Sequence, residues 1–480
     1  MAGIVSYGAY IPWLRINRKT VAAAMGWFGA IALPGEKAVA NYDEDVITMA
    51  VAAGKVCLND FEREGIEGLY FATTTSPYKE RQDAGLISLA LDLGDDIRTA
   101  DFTDSPKAGT AALLSACEAV KAGALSNLLV CASDCRLGKA GGGQEQIFGD
   151  AATAFVIGDK DVIASLEGSY SLSRDFMGSW RAEGDKFERS WEDRFIRDEG
   201  YTKFIPQAIS GLLKKYNLTT TDFAKIVYPC LYAREHQMIA KALGATPEQI
   251  QQEMLSSVGD SGTAHSLMML AAALDDAKPG DKILVASYGN GSDALFFQVT
   301  DKIKKVTNKV GLKGYLDSRQ ELNNYEKYLS FRNIIPIDRG IRGDEVAFTQ
   351  LSMAWRERKS ILALCGVKCK HCGTPQYPYQ RVCVKPDCGA IDEMEYYRFS
   401  DKKGTLFTYT GDNLAFSPSP PAIYGIINFD GGGRYWFDVT DCELESLKVG
   451  IPVAMTFRRK YLDEARGHSG YFWKATPRLA

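Results

Sequence analysis

Over the first 300 residues, short apolar runs alternate with longer segments of helical spacing. Gly68-Leu69-Tyr70-Phe71-Ala72 reads as a buried strand that ends in the polar run Thr73-Thr74-Thr75-Ser76. Residues 107–123 form an Ala- and Leu-rich helical pattern, and residues 128–132 and 152–158 are further apolar strands. Continuous apolar runs separated by helices predict a largely parallel sheet, covered on both faces.

The pattern then returns. Residues 204–216 have the spacing of an amphipathic helix, 225–228 of a strand, 264–277 of an Ala/Leu/Met helix, and 282–287 and 293–299 of two more strands. Asn127-Leu128-Leu129-Val130-Cys131-Ala132-Ser133, a loop and Gly149-Asp150-Ala151 are echoed by Lys282-Ile283-Leu284-Val285-Ala286-Ser287, a shorter loop and Gly291-Ser292-Asp293-Ala294. A period of about 150 residues is too long for a solenoid and predicts a duplicated α/β unit, although any parallel sheet yields some echoes. Residues 302–364 change character. Lys302, Lys304, Lys305 and Lys309 precede a charged stretch with Tyr325, Tyr328 and Phe331. This is the pattern of a connector or docking segment with a solvated face. Beyond 365, residues 404–409, 423–429, 434–439 and 453–459 are rich in β-branched and aromatic residues, and Asp430-Gly431-Gly432-Gly433 joins two of them like a hairpin loop. Short strands of this kind can close a small barrel.

Composition narrows the classes. The 480 residues are enough for about three domains. Lys plus Arg total 56 against 60 Asp plus Glu, a net charge of −4, which argues against a nucleic-acid partner or an anionic membrane surface. No apolar run reaches the ~18 residues of a spanning helix, and the N-terminus has no secretory pattern. Eleven cysteines, an odd number, fit a reducing, cytoplasmic setting with one metal site better than a disulfide framework. That site is the most specific local signal. In Cys369-Lys370-His371-Cys372 and Cys383-Val384-Lys385-Pro386-Asp387-Cys388, two knuckles offer four thiolates. Such a set suits a closed, structural Zn²⁺; free thiols or two reducible disulfides are the alternatives.

A zinc ribbon followed by a small barrel resembles the OB-fold accessory domains (DUF35 type) that accompany thiolase-type enzymes. The front of the chain is similar to the 3-hydroxy-3-methylglutaryl-CoA synthases of the thiolase superfamily. The resemblance is carried by Gly3-Ile4-Val5-Ser6-Tyr7-Gly8-Ala9-Tyr10-Ile11-Pro12, residues 35–45, Lys107-Ala108-Gly109-Thr110-Ala111, Ser133-Asp134-Cys135-Arg136, Gly259-Asp260-Ser261-Gly262-Thr263-Ala264 and Gly289-Asn290-Gly291-Ser292-Asp293. It covers about residues 1–300 and implies a duplicated five-layer αβαβα sandwich. The expected layout is two thiolase-like halves (1–165 and 166–301), a connector (302–364), a zinc ribbon (365–395) and an OB-fold barrel (396–480). A homodimer is also implied, with a further thiolase-type subunit as a second possible partner.

The resemblance also implies an acyl-CoA substrate, with coenzyme A entering as part of it, and carbon–carbon bond chemistry. The residues that carry acyl transfer in that family are missing at their expected places. The nucleophilic cysteine position is Pro106, the histidine position is Pro229, the glutamate position is Thr74, and Asp260 stands where an asparagine is frequent. Asp104-Ser105-Pro106 still reads as a helix start, and a helix N-terminus can stabilise an oxyanion or enolate without a covalent bond. The preferred reading is therefore an aldol or retro-aldol enzyme acting on a β-hydroxyacyl-CoA. A synthase-type acyltransferase and a non-catalytic CoA-binding subunit are the alternatives. Asp260, His265, His236, Tyr232 and Ser105 are the candidate catalytic groups. Arg234, Arg136 and Lys139 are candidates for CoA phosphates.

Overall fold

The computed structural model describes residues 2–29, 31–59, 61–306, 311–340, 343 and 348–478; Lys309 of the lysine run lies outside them. The chain divides into two units. The first holds residues 1–40, 45–86 and 94–328, the second residues 41–44, 87–93 and 329–480.

The first unit is built on nine strands: β1 (Gly3–Tyr10), β2 (Gly68–Ala72), β3 (Arg98–Phe102), β4 (Asn127–Asp134), β5 (Ala151–Gly158), β6 (Ala164–Ser173), β7 (Lys225–Val227), β8 (Lys282–Ala286) and β9 (Gly291–Val299). They lie in the order β7-β8-β9-β6-β1-β5-β4-β2-β3. The sheet is mixed rather than largely parallel. Only β7–β8, β4–β2 and β2–β3 pair in parallel, and every pairing from β8 through to β4 is antiparallel. Two-sided burial produced the continuous apolar runs, and burial does not encode direction. Loop length does: the four residues 287–290 between β8 and β9 cannot make a crossover.

The duplication is visible in the strand order. Outward from the centre, β1-β5-β4-β2-β3 is matched by β6-β9-β8-β7 and then a parallel bridge from Ile226 to Ile250. The halves join where Gly3 and Ile4 pair with Ser165 and Ala164. Between the halves lie α2 (Ala108–Lys121) and α5 (His265–Asp275), each packed on strands of both halves. Outside them, α1 (Val46–Cys57) covers β1, β5 and β4, and α3 (Thr202–Tyr216) covers β6 and β9. The result is a five-layer αβαβα sandwich. The central helices come so close that a Cβ on Gly109 would sit 2.2 Å from the Thr263 carbonyl oxygen, so only glycine fits there. A smaller helix, α4 (Ala233–Ala242), follows β7. Part of the expected connector belongs to this core. Leu312, Tyr315, Leu322, Tyr325 and Tyr328 are buried, and the Tyr325 hydroxyl donates to Glu145 at 2.7 Å.

In the second unit, β10 (Cys365–Cys369), β11 (Pro375–Gln376) and β12 (Met394–Arg398) form a three-stranded ribbon in the order β11-β10-β12. Five further strands follow: β13 (Gly404–Asp412), β14 (Ala422–Phe429), β15 (Arg434–Asp438), β16 (Pro452–Asp463) and β17 (His468–Thr476). They run β15-β14-β13-β16-β17, and a bridge from Val439 to Ala475 links the two ends into a barrel. Leu406, Ile427, Phe437, Val453, Phe457 and Trp473 fill it. Arg458, fully buried, meets Asp43 at 3.5 Å, Glu44 at 2.5 Å and also Asp441, while Lys474 reaches Asp43 at 2.9 Å. Buried charge of this density is tolerable only because each group is paired. No helix among the described residues is long and apolar enough to cross a membrane.

Candidate active site

A cleft in the first unit, partly open to solvent, is a concave site of the kind that takes a small molecule. Pro106, at the start of α2, and Pro229, after β7, both line it. The two positions that the resemblance assigns to nucleophile and base therefore meet at this cleft, and both carry side chains with no titratable group. No cysteine is among the lining residues. Cys117 lies buried inside α2, its thiol pushed up to about 12 by burial, and Cys230 is likewise held at about 12 by burial. Neither is a thiolate near neutral pH.

The polar groups of the cleft centre on Arg136, whose side chain is 5% exposed. It bonds Asp260 at 2.5 Å and lies 3.6 Å from Glu188, with its guanidinium 4.2 Å over the Phe148 ring. Burial alone would raise the Asp260 carboxyl. Arg136 beside it, with the Gly262 N–H at 3.1 Å, holds it below the usual carboxylate range instead. His265, at the first turn of α5, also lines the cleft, and its Nδ1 lies 3.4 Å from the Ser261 N–H and hydroxyl. Burial lowers its pKa and the Asp260 charge only partly opposes this. The imidazole is thus neutral at physiological pH, with Nδ1 turned to Ser261 and the ring also hydrogen-bonded to the Gly259 backbone. Tyr232 lines the cleft as well; burial raises its pKa, so the phenol stays protonated.

Behind this wall sits Asp134, at the end of β4 and fully buried. One carboxylate oxygen accepts the Thr73, Thr74 and Thr75 hydroxyls at 3.1, 2.9 and 2.8 Å and the Thr74 N–H at 2.7 Å. The other accepts the Thr263 N–H at 2.8 Å. Thr74, which the resemblance sets at a glutamate position, is thus consumed in a network that ties the loop after β2 and the end of β4 to the start of α5.

The other predicted residues fall elsewhere. His236 is buried against Tyr228, ring centroids 4.5 Å apart, and does not line the cleft; the apolar face of α4 turns it into the core. Arg234 and Lys139 are exposed and outside the lining. Arg136, expected as a phosphate ligand, is instead a buried cation already neutralised by two carboxylates. Ser105 is outside the lining, and its oxygen accepts the Lys107 N–H at only 3.4 Å, a loose cap. Asp104 does not cap α2: at φ 73° it lies in the left-handed region.

Glu188 had no signal in the sequence. It arrives on a hairpin (Ser179–Trp180 with Arg189–Ser190) inserted after β6, and its N–H donates to the Leu137 carbonyl at 2.9 Å. Asp134 and the three threonines stood in the sequence as a strand end and a polar run, with no spacing rule to join them.

In the second unit, the sulfurs of Cys369, Cys372, Cys383 and Cys388 all lie within 4.8 Å of one another. Cys369–Cys388 and Cys372–Cys383 are 3.8 and 3.5 Å apart. A tetrahedral ion with Zn–S bonds of about 2.3 Å needs sulfurs about 3.8 Å apart, so the donor set fits zinc. Among the described residues this is the one such cluster of Cys, His or acidic ligands.

Comparison with known proteins follows the same division. Residues 397–458 match the family of ChsH2 C-terminal OB-fold domains. The chain is 35% identical over 327 residues to hydroxymethylglutaryl-CoA synthase of Methanopyrus kandleri, covering 66% of this chain and 93% of that protein. It is 32% identical over 344 residues to the protein of that name in Methanocaldococcus jannaschii, covering 70% and 99%. A crystal structure of an HMG-CoA synthase complexed with CoA superimposes with a TM-score of 0.62 at 20% identity, over 73% of this chain and 94% of that one.

Proposed function

Because the chain belongs to the hydroxymethylglutaryl-CoA synthase family, carried as a thiolase-like fold joined to an OB-fold domain, we propose that it acts on acyl-CoA thioesters. It makes or breaks a carbon–carbon bond beside the thioester without a cysteinyl acyl intermediate. The observation that carries this reading is the pair Pro106 and Pro229 at the cleft. The pocket is kept while the groups of covalent acyl transfer are gone, and what remains is a neutral imidazole, phenols and one compensated charge cluster. Retro-aldol chemistry on a β-hydroxyacyl-CoA needs no more. His265 accepts the β-hydroxyl proton, the Cα–Cβ bond breaks to leave a ketone or aldehyde and a thioester enolate, and the α2 N-terminus stabilises the enolate oxygen until a proton returns to carbon. Asp260, fixed by Arg136, sets the field around that imidazole. A Zn²⁺ on the four cysteines of the second unit would have no open position and would hold the ribbon rather than react.

The relatives' name favours a second reading, condensation by acyl transfer, and supports it more directly than the aldol direction. The two separate in one experiment. The full chain is incubated with isotope-labelled acetyl-CoA, quenched in acid and weighed intact. The aldol reading predicts turnover of a β-hydroxyacyl-CoA with no covalent label. A stoichiometric acyl adduct on Cys117, Cys230 or Ser105 establishes the acyltransferase instead.

A further inference from the structure

We infer that the cleft selects an acyl group that carries an aromatic ring and no charge. This rests on the acyl-CoA reading above and names its substrate class. Aromatic residues make up 11% of the chain, yet Phe148, Phe176, Tyr201, Tyr232 and Tyr288 all line this one cleft.

Three of them, Tyr201, Tyr232 and Tyr288, pack together, and Phe176 is joined to them through Phe204. Tyr201 and Tyr288 stack with centroids 3.8 Å apart and planes at 20°, and Tyr232 meets Tyr201 edge-on at 5.9 Å. Phe204 lies behind, 6.2 Å from Tyr288 and edge-on to Phe176 at 5.2 Å, and Phe195 stacks on Phe176 at 4.9 Å. The rings come from three places: the inserted hairpin segment, the start of α3 and its preceding turn, and the loops after β7 and β8. A wall of ring faces and edges at these separations accepts another ring in the same offset or edge-on geometry, which an aliphatic chain cannot exploit.

The charges point the same way. The charged groups that line the cleft are Arg136, Glu188, Asp193 and Asp260, one cation against three carboxylates. Arg136 is bonded to one of those carboxylates and 3.6 Å from another. An acyl group ending in its own carboxylate would meet a net negative lining whose single cation, Arg136, is already paired through both terminal nitrogens and keeps only Nε without a partner. The relatives' 3-hydroxy-3-methylglutaryl group is of that kind, so specificity here departs from what their name states.

Isothermal titration of the full chain with coenzyme A, acetyl-CoA, phenylacetyl-CoA, cyclohexylacetyl-CoA and glutaryl-CoA tests this. Phenylacetyl-CoA is expected to bind about ten-fold more tightly than acetyl-CoA or cyclohexylacetyl-CoA, and glutaryl-CoA no better than acetyl-CoA. In Phe176→Leu and Tyr288→Leu the ten-fold preference should fall to about two-fold with the affinity for coenzyme A unchanged. Phe176 is half-buried in the segment before the hairpin, so its variant is expected to keep the fold. Equal affinity for phenylacetyl- and cyclohexylacetyl-CoA, or tighter binding of glutaryl-CoA, overturns the inference while leaving the acyl-CoA reading intact. Absence of binding by every thioester and by coenzyme A overturns both.

Discussion

Replacing Arg136 by methionine removes the cation from the centre of the cleft and leaves its volume nearly filled. Two carboxylates, Asp260 and Glu188, then face each other without a counter-charge at a site whose side chains are no more than about a tenth exposed. Breaking a buried pair in this way costs about 3–5 kcal/mol. At roughly 2–4 °C per kcal/mol, the melting temperature of the first unit should fall by about 6–20 °C. The loss should also depend on pH. In the native protein Asp260 is held below the usual carboxylate range, so its contribution to stability is complete above that range and is lost as pH falls through its depressed value. In Arg136→Met the same burial without Arg136 raises the carboxyl. The folded state then binds the proton more readily than the unfolded chain, and the penalty shrinks as pH falls from 8 toward 5. Differential scanning calorimetry of both proteins across that range reads the effect, and Arg136→Met/Asp260→Asn should recover more than half of the loss at pH 8. A variant within about 1 kcal/mol of the native protein, or a penalty that does not change with pH, would refute the charge assignment on which the cleft is built.

Three further outcomes follow from the same geometry. His265→Gln should lower kcat for β-hydroxyacyl-CoA cleavage by about 10²-fold or more with little change in KM. The native acid limb should fall below the ordinary histidine range, since burial depresses this imidazole, and a limb at or above that range contradicts its role. Cys383→Ser should take bound zinc, measured by plasma mass spectrometry, from about one per chain to near zero while the first unit keeps its melting transition; an unchanged metal content would exclude the ribbon as the site. Gly109→Ala places a methyl 2.2 Å from the Thr263 carbonyl and should separate the central helices. The expected result is loss of soluble protein or a destabilisation of at least ~3 kcal/mol, and wild-type stability would contradict the packing described.

The sequence made element type and repetition legible because both are encoded locally. Apolar runs at 68–72 and 282–287 had to be buried strands, and the echo between 127–151 and 282–294 became the matched strand orders of the two halves. Strand direction was lost because a run buried on both faces reads the same in parallel and antiparallel sheets. The four thiolates were legible for the same local reason, two knuckles of short spacing. The cleft was only half legible. Pro106 and Pro229 could be placed from neighbouring motifs, and Asp260 and His265 came with the turn that starts α5. Glu188 and the Asp134–threonine cluster could not be found, because their partners lie 50 to 130 residues away, and Glu188 arrives on a hairpin with no periodic signal. Arg136 was assigned to a CoA phosphate for a related reason: a lone arginine after a strand looks available to an anion until the carboxylates that bury it are known.

On the proposed reading, the cleft holds a CoA thioester and handles it without a covalent bond to the protein. A crystal structure of the chain soaked with acetyl-CoA measures this directly. The expected result is an intact thioester seated between Pro106 and Pro229, its carbonyl oxygen at the N-terminus of α2 and His265 facing the acyl carbon. Density for an acyl group bonded to a cysteine or serine, or for coenzyme A bound away from the two prolines, would contradict it.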